Sequence, residues 1–141
     1  MDNVDIFVKV RWNGGFRGSG KAAAVIAFVD KRGVEHIKVI TTEMEDGTTE
    51  QLQLMAVTKA LHELKHPCSV GIYVNSQTIR NAVENDWVTG WEQNNWRNKR
   101  GKEIKNKEVW MLLVPLLKKH NVGVAGYIAR YEPELEKALE D

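Results

Sequence analysis

The residues best suited to chemistry in this chain are cations, aromatics and amides. The run WRNKRGKEIKNK carries Arg97, Lys99, Arg100, Lys102, Lys105 and Lys107 against one acid, Glu103. Such a cluster can neutralise several phosphates, each contributing a salt-dependent share of affinity, or it can be a solvated basic loop. Trp87, Trp91 and Trp96 recur just before it at roughly helical spacing. They can form the core under the basic segment or stack on bases. In IYVNSQTIRNAV an apolar strand runs into Asn75, and Ser76 opens a helix. Open α/β sheets place chemistry at such a strand end, yet the residue there is a neutral amide.

Other candidates are weaker. The four histidines are scattered, and only His62 and His66, at i,i+4, have the spacing of a metal pair. GGFRGSGK lacks the spacing of a phosphate-cradling loop and has no helix after it. It reads as a hairpin turn, from which Arg17 and Lys21 could still touch a phosphate. Cys68 is the one cysteine, so an internal disulfide is excluded and a structural thiol is expected.

The elements that position these residues follow from hydrophobic period. From Ile6 to Asn13, Val8, Val10 and Trp12 alternate with Phe7, Lys9, Arg11 and Asn13, which is a strand. Ala22 to Asp30 and Val34 to Thr41 are two more, joined by short turns, so the first three strands form an antiparallel meander. Leu54, Val57, Leu61 and Leu64 then fall at helical spacing, with Thr48 or Thr49 as N-cap and Pro67 after the end. Ser69 to Val74 is a strand inside the sheet, followed by a helix from Ser76 to Val83 and another over Trp87 to Trp96. Arg97 to Lys107 is a loop. Val109 to His120 is an amphipathic helix that Pro115 should kink or break. Val122 to Ile128 is a last strand, and Pro133 to Leu139 a terminal helix.

Three linked strands followed by strand–helix alternation predict an α/β fold, a mixed sheet with helices on its faces. The 141 residues suit one domain, 1–141, and 43% hydrophobic content is enough for a core. With 20 Lys+Arg against 19 Asp+Glu, nucleic-acid binding would have to come from a local patch. The start, MDNVDIFVKV, has no basic-then-apolar leader pattern. No apolar run approaches a membrane span. A soluble, cytoplasmic protein with no membrane partner is expected.

This element order, with certain words in it, resembles type 1 ribonuclease H over almost the whole chain. VRWNGGFRGSGKAAAVIAF is similar to the family's first hairpin, and TTEQLQLMAVTKAL to its Glu-Leu-Met-Ala helix. IYVNSQTIRNAV is similar to its Thr-Asp-Ser strand end, and VTGWEQNNWRNKRGKEIKNKEVW to the tryptophan-rich helix and basic handle of the bacterial-type enzymes. The resemblance implies a five-stranded mixed sheet, three antiparallel strands then parallel ones, with helices on both faces. It also implies an endonuclease that cuts the RNA of an RNA–DNA hybrid with carboxylate-held magnesium ions.

Carried over residue by residue, the family's acids fall on amides. The helix glutamate falls on Gln53 and the second aspartate on Asn75. The first aspartate falls on Asn13, or near Lys9 if the gap lies elsewhere. The last acid falls near Glu136 or Lys137. The family's Gly-His loop appears as GYIA, with Tyr127 in the histidine's place. Gln51 and Glu50 fall where asparagines read the minor groove.

An amide keeps the shape of a carboxylate and loses its charge. At an effective dielectric of about 20, one unit-charge contact at about 4 Å is worth roughly 4 kcal/mol. Three such losses should abolish a two-magnesium site, so no cofactor is expected. The expectation is a catalytically inactive homologue that binds nucleic acid, RNA–DNA hybrid or double-stranded RNA. Asn13, Gln51, Gln53 and Asn75 would lie under one strand, with Trp87, Trp91, Trp96 and the handle cations Arg97, Lys99, Arg100, Lys102 and Lys105 on the other. The alternatives are a protein-interaction module that keeps only the fold, and an active or engineered-inactive ribonuclease H.

Overall fold

The computed structural model describes residues 2–141. Strands β1 (Asp2–Gly14), β2 (Gly18–Val29) and β3 (Glu35–Gly47) form the meander. Helix α1 (Thr49–His62), strand β4 (Cys68–Tyr73), helices α2 (Gln77–Glu84), α3 (Trp87–Gln93) and α4 (Lys107–Lys119), strand β5 (Asn121–Ala125) and helix α5 (Glu132–Glu140) follow. The strand order is β3-β2-β1-β4-β5, and β1 takes β2 antiparallel on one side and β4 parallel on the other. This is the mixed five-stranded α/β sheet that the sequence implies.

The alternation in β1 divides its side chains between two cores. Val4, Ile6 and Val8 join a cluster with Leu52, Ala56, Trp110 and Leu113 of α1 and α4. Phe7 joins Ala23, Val25, Ala27, Tyr131, Leu135 and Leu139 on the α5 face. Helices therefore cover both faces. Trp110 is core, 2% exposed. Thr48 caps α1, its hydroxyl accepting from Gln51 N, and Ser76 caps α2 by accepting from Ile79 N.

Several boundaries differ from those expected. β3 runs six residues past Thr41, because the polar stretch Glu43 to Gly47 still pairs with the start of β2. Most of the glycine-rich segment is likewise strand, and the turn is confined to residues 15–17. Pro115 sits inside α4 without ending it; the helix gives up one backbone bond there and continues on buried Leu113 and Val114. β5 stops at Ala125, short of Ile128. His66 lies beyond the end of α1 and pairs with Asp2 at 2.9 Å, so it shares no helical turn with His62. Among the described residues no group of three or more His, Cys, Asp or Glu is placed to hold a metal ion, and no helix is long and apolar enough to cross a membrane. Cys68 is buried, its thiol donating to the His66 carbonyl oxygen and pushed up by burial.

Candidate nucleic-acid interface

The register of β1 against β4 decides which residues meet at the strand ends. The two strands pair in parallel as far as Phe7 opposite Tyr73, whose rings stack 4.7 Å apart. Counted on in the same register, Lys9 of β1 falls opposite Asn75, two residues past the end of β4. Asn13 lies four residues beyond Lys9, roughly 13 Å at about 3.3 Å per residue, and pairs with Ser19 at the end of the β1–β2 hairpin. Of the two placements of the family's first aspartate, Lys9 is the one that the β1–β4 register brings to this strand end, with Asn13 at the hairpin.

Lys9 carries the electrostatics of this cluster. Its ammonium donates to both Glu132 and Glu136, one turn apart on α5. Tyr127 donates its hydroxyl to Glu132 as well. The two carboxylates push the Lys9 ammonium well above its usual range. Lys9, and then Tyr127, hold Glu132 below the usual carboxylate range. Burial first, and then the bond to Glu132, push the Tyr127 phenol up to about 12. Of the two positions considered for the last family acid, Glu136 faces this cluster; Lys137 is exposed.

Gln53 is 8% exposed and occupied at both ends of its amide. Its oxygen accepts from Ser76 N at 2.8 Å and its nitrogen donates to the Thr49 carbonyl at 3.3 Å. It ties α1 to the β4–α2 turn. The Gln53 amide is thus engaged within the fold through its oxygen and one N–H. Asn75 is exposed, and its backbone oxygen takes a bond from Arg80 at 3.3 Å. Gln51 is half-buried beside Gly47, where a Cβ would meet its side-chain oxygen at 2.6 Å. Glu50 lies in the first turn of α1, where the helix dipole favours an acid.

The basic loop is built rather than loose. Asn98 accepts from the backbone of Arg100 and Lys102, Arg97 donates to the Gly101 oxygen at 2.9 Å, and Ile104 N bonds the Trp96 oxygen. Trp91 packs against Trp87, Trp96 and Trp110 with ring centroids 6.3, 6.1 and 5.1 Å apart. Trp91 and Trp96 are therefore the core that fastens the loop to the domain, and Trp87 is the exposed edge of that stack, 41% open. Arg97, Lys99, Arg100, Lys102 and Lys105 are all exposed. Arg17 is engaged by Asp46 at 3.3 Å, and Lys21 bonds the backbone oxygen of Asp141.

Sequence reasoning gave Lys9 only as an alternative placement, and passed over Glu132 and Phe16. A lone lysine inside an apolar strand and two acids four apart on the terminal helix were the signals for the first two. Phe16 is 76% exposed at the hairpin tip, and the Lys105 ammonium lies 5.0 Å from its ring centroid. That contact joins the β1–β2 hairpin to the basic loop.

A family model for RNase H matches residues 12–128. The match begins inside β1, beyond Lys9. A ribonuclease H of Oleidesulfovibrio alaskensis is 35% identical over 138 residues, 96% of this chain and 86% of that protein. A ribonuclease H of Nitratidesulfovibrio vulgaris is 44% identical over 90 residues, 62% of this chain and 58% of that one. The chain belongs to the ribonuclease H family. Among solved structures, LC9-RNase H1, a type 1 RNase H with the type 2 active-site motif, superposes with a TM-score of 0.77 at 18% identity, over 99% of this chain and 69% of that one. The foamy viral protease–reverse transcriptase in complex with RNA/DNA hybrid gives a TM-score of 0.65 at 15% identity, over 98% of this chain and 19% of that one. These two likenesses show the shared fold.

Proposed function

We propose that this protein binds nucleic acid, with an RNA–DNA hybrid or double-stranded RNA as ligand, and does not cleave it by the family's two-metal chemistry. The observation that carries this reading is the Lys9 ammonium at the end of β1, bonded to Glu132 and Glu136. Magnesium needs anionic oxygen ligands free to meet it. The strand-end residues do not fit that need: one carboxylate pair is bonded to an internal cation that offsets half its charge, Gln53 is bonded to Ser76, and Asn75 carries no charge. An ammonium in the cluster also repels a divalent ion. These residues therefore support no catalytic step through magnesium.

Binding is supported by the built basic loop, whose five exposed cations stand on a tryptophan core, and by the fold's occurrence in a protein solved with RNA/DNA hybrid. The test is a titration of labelled hybrid at two salt concentrations, with magnesium and again with a chelator. Affinity that falls steeply with salt and ignores the chelator supports the reading; affinity that vanishes with the chelator contradicts it.

One observation favours a second reading, a module that docks a protein. An apolar groove of about 530 Å³ lies between α1 and α4, lined by Met55, His62, Val109, Leu112 and Pro115. Under that reading no salt-dependent hybrid binding is seen in the same titration.

A further inference from the structure

We infer that Phe16 is a base-stacking finger that takes an unpaired nucleobase at the end of a bound duplex. This rests on the nucleic-acid reading above and adds a preferred ligand, a duplex with a single-stranded overhang.

Phe16 has the greatest exposure of the large exposed hydrophobics, 76%, and stands on the tip of a hairpin. An exposed phenylalanine on a floppy turn would have little use, but this tip is braced from three sides. The Trp12 indole donates to the Gly15 oxygen at 3.0 Å. Arg17 pairs with Asp46 of β3. Lys105 reaches over from the basic loop to the Phe16 ring. The turn also requires its glycine: Gly14 has φ +134°, and a Cβ there would meet the Arg17 oxygen at 2.8 Å. The hairpin tip that carries the ring is thus braced before any ligand arrives, which reduces the entropy lost on binding.

The charges around it select the partner. Lys105 lies against the ring, so an incoming group is met by a cation as well as by an aromatic face. A nucleobase on a phosphate backbone satisfies both, since every base has a π-face and brings an anion with it. Bases within a duplex have both faces covered, and wedging a side chain between them requires unstacking at a few kcal/mol. An unpaired base needs no such step.

The experiment compares a blunt hybrid with the same hybrid carrying a short single-stranded overhang that begins with 2-aminopurine. Wild-type protein is expected to bind the overhang ligand about ten-fold more tightly, within the range one base–aromatic stack supplies, and to quench the probe. Phe16→Ala should lose the preference and the quench. Phe16→Trp should keep both, and Phe16→Leu should lose both. Equal wild-type affinity for the two ligands would overturn the inference while leaving the nucleic-acid reading intact. So would a Phe16→Leu protein that behaves as wild type, which would mean apolar contact without stacking. No binding of either ligand would overturn both readings.

Discussion

Lys9 on β1 donates to Glu136 on α5 across 127 residues of sequence. The resemblance leads one to expect a carboxylate facing a carboxylate at this place, with metal between. Here an ammonium takes the first-strand place and is bonded twice by α5, since Glu132 receives it as well.

That exchange should be reversible. A variant carrying Lys9→Asp, Gln53→Glu and Asn75→Asp restores three acids at the positions that the resemblance assigns to the family's carboxylates. It is expected to be less stable than wild type without metal, because like charges then crowd the strand ends. With magnesium at about a hundred times its dissociation constant, stabilisation of about 2.7 kcal/mol corresponds to a rise in Tm of roughly 5–10 °C. Differential scanning fluorimetry checks this. The same triple built with Asn13→Asp in place of Lys9→Asp should show no magnesium shift, since Asn13 lies at the hairpin end.

Stability should fall on the acid side of neutrality because of His120. This ring is 5% exposed, and its Nδ1 accepts from Cys68 N at 3.0 Å, so the neutral form is the one the fold holds. Burial, with Lys119 and His66 adding repulsion, lowers its affinity for a proton below the ordinary value of 6.5. The unfolded chain then takes up a proton below about pH 6.5 before the folded one does. Stability is complete above that pH and declines beneath it. Melting curves between pH 5 and 8 should show this decline, and His120→Gln should remove it.

Handle cations should act through phosphate charge alone. Arg100→Ala and Lys102→Ala, at exposed positions, are expected to leave Tm within about 1 °C, as exposed substitutions do. Each should reduce the slope of log affinity against log salt by about 1. A change in Tm with an unchanged slope would assign these residues to the fold.

Trp91→Ala tests the base of the same handle. Removing a ring that packs against Trp87, Trp96 and Trp110 should cost roughly 2–4 kcal/mol. Binding should weaken more than for any single handle cation, because the loop loses its attachment. Chemical denaturation and the hybrid titration measure the two effects separately.

The fold was legible because strand alternation and helix period are local signals, and buried Ile6, Val8, Leu54 and Val57 announce them. Boundaries in β3 and α4 were not, since pairing with β2 carries a polar stretch as strand and core contacts carry a helix through Pro115. In the site, Asn75 and the basic loop were readable from single segments. The position beside Asn75 was not, because a gap in a glycine-rich hairpin can be placed in more than one way from one sequence. The β1–β4 register resolves it in favour of Lys9. Gln53 looked available for the same reason: its partner, Ser76, is 23 residues away and enters only with the tertiary fold.

The most direct measurement is a denaturing gel of end-labelled RNA–DNA hybrid incubated with excess protein in magnesium and, separately, in manganese. With Lys9 holding the strand-end carboxylates, the RNA should remain full length in both while the hybrid is bound. Cleaved RNA at a rate proportional to protein concentration, and abolished by a chelator, would refute a metal site disabled by Lys9.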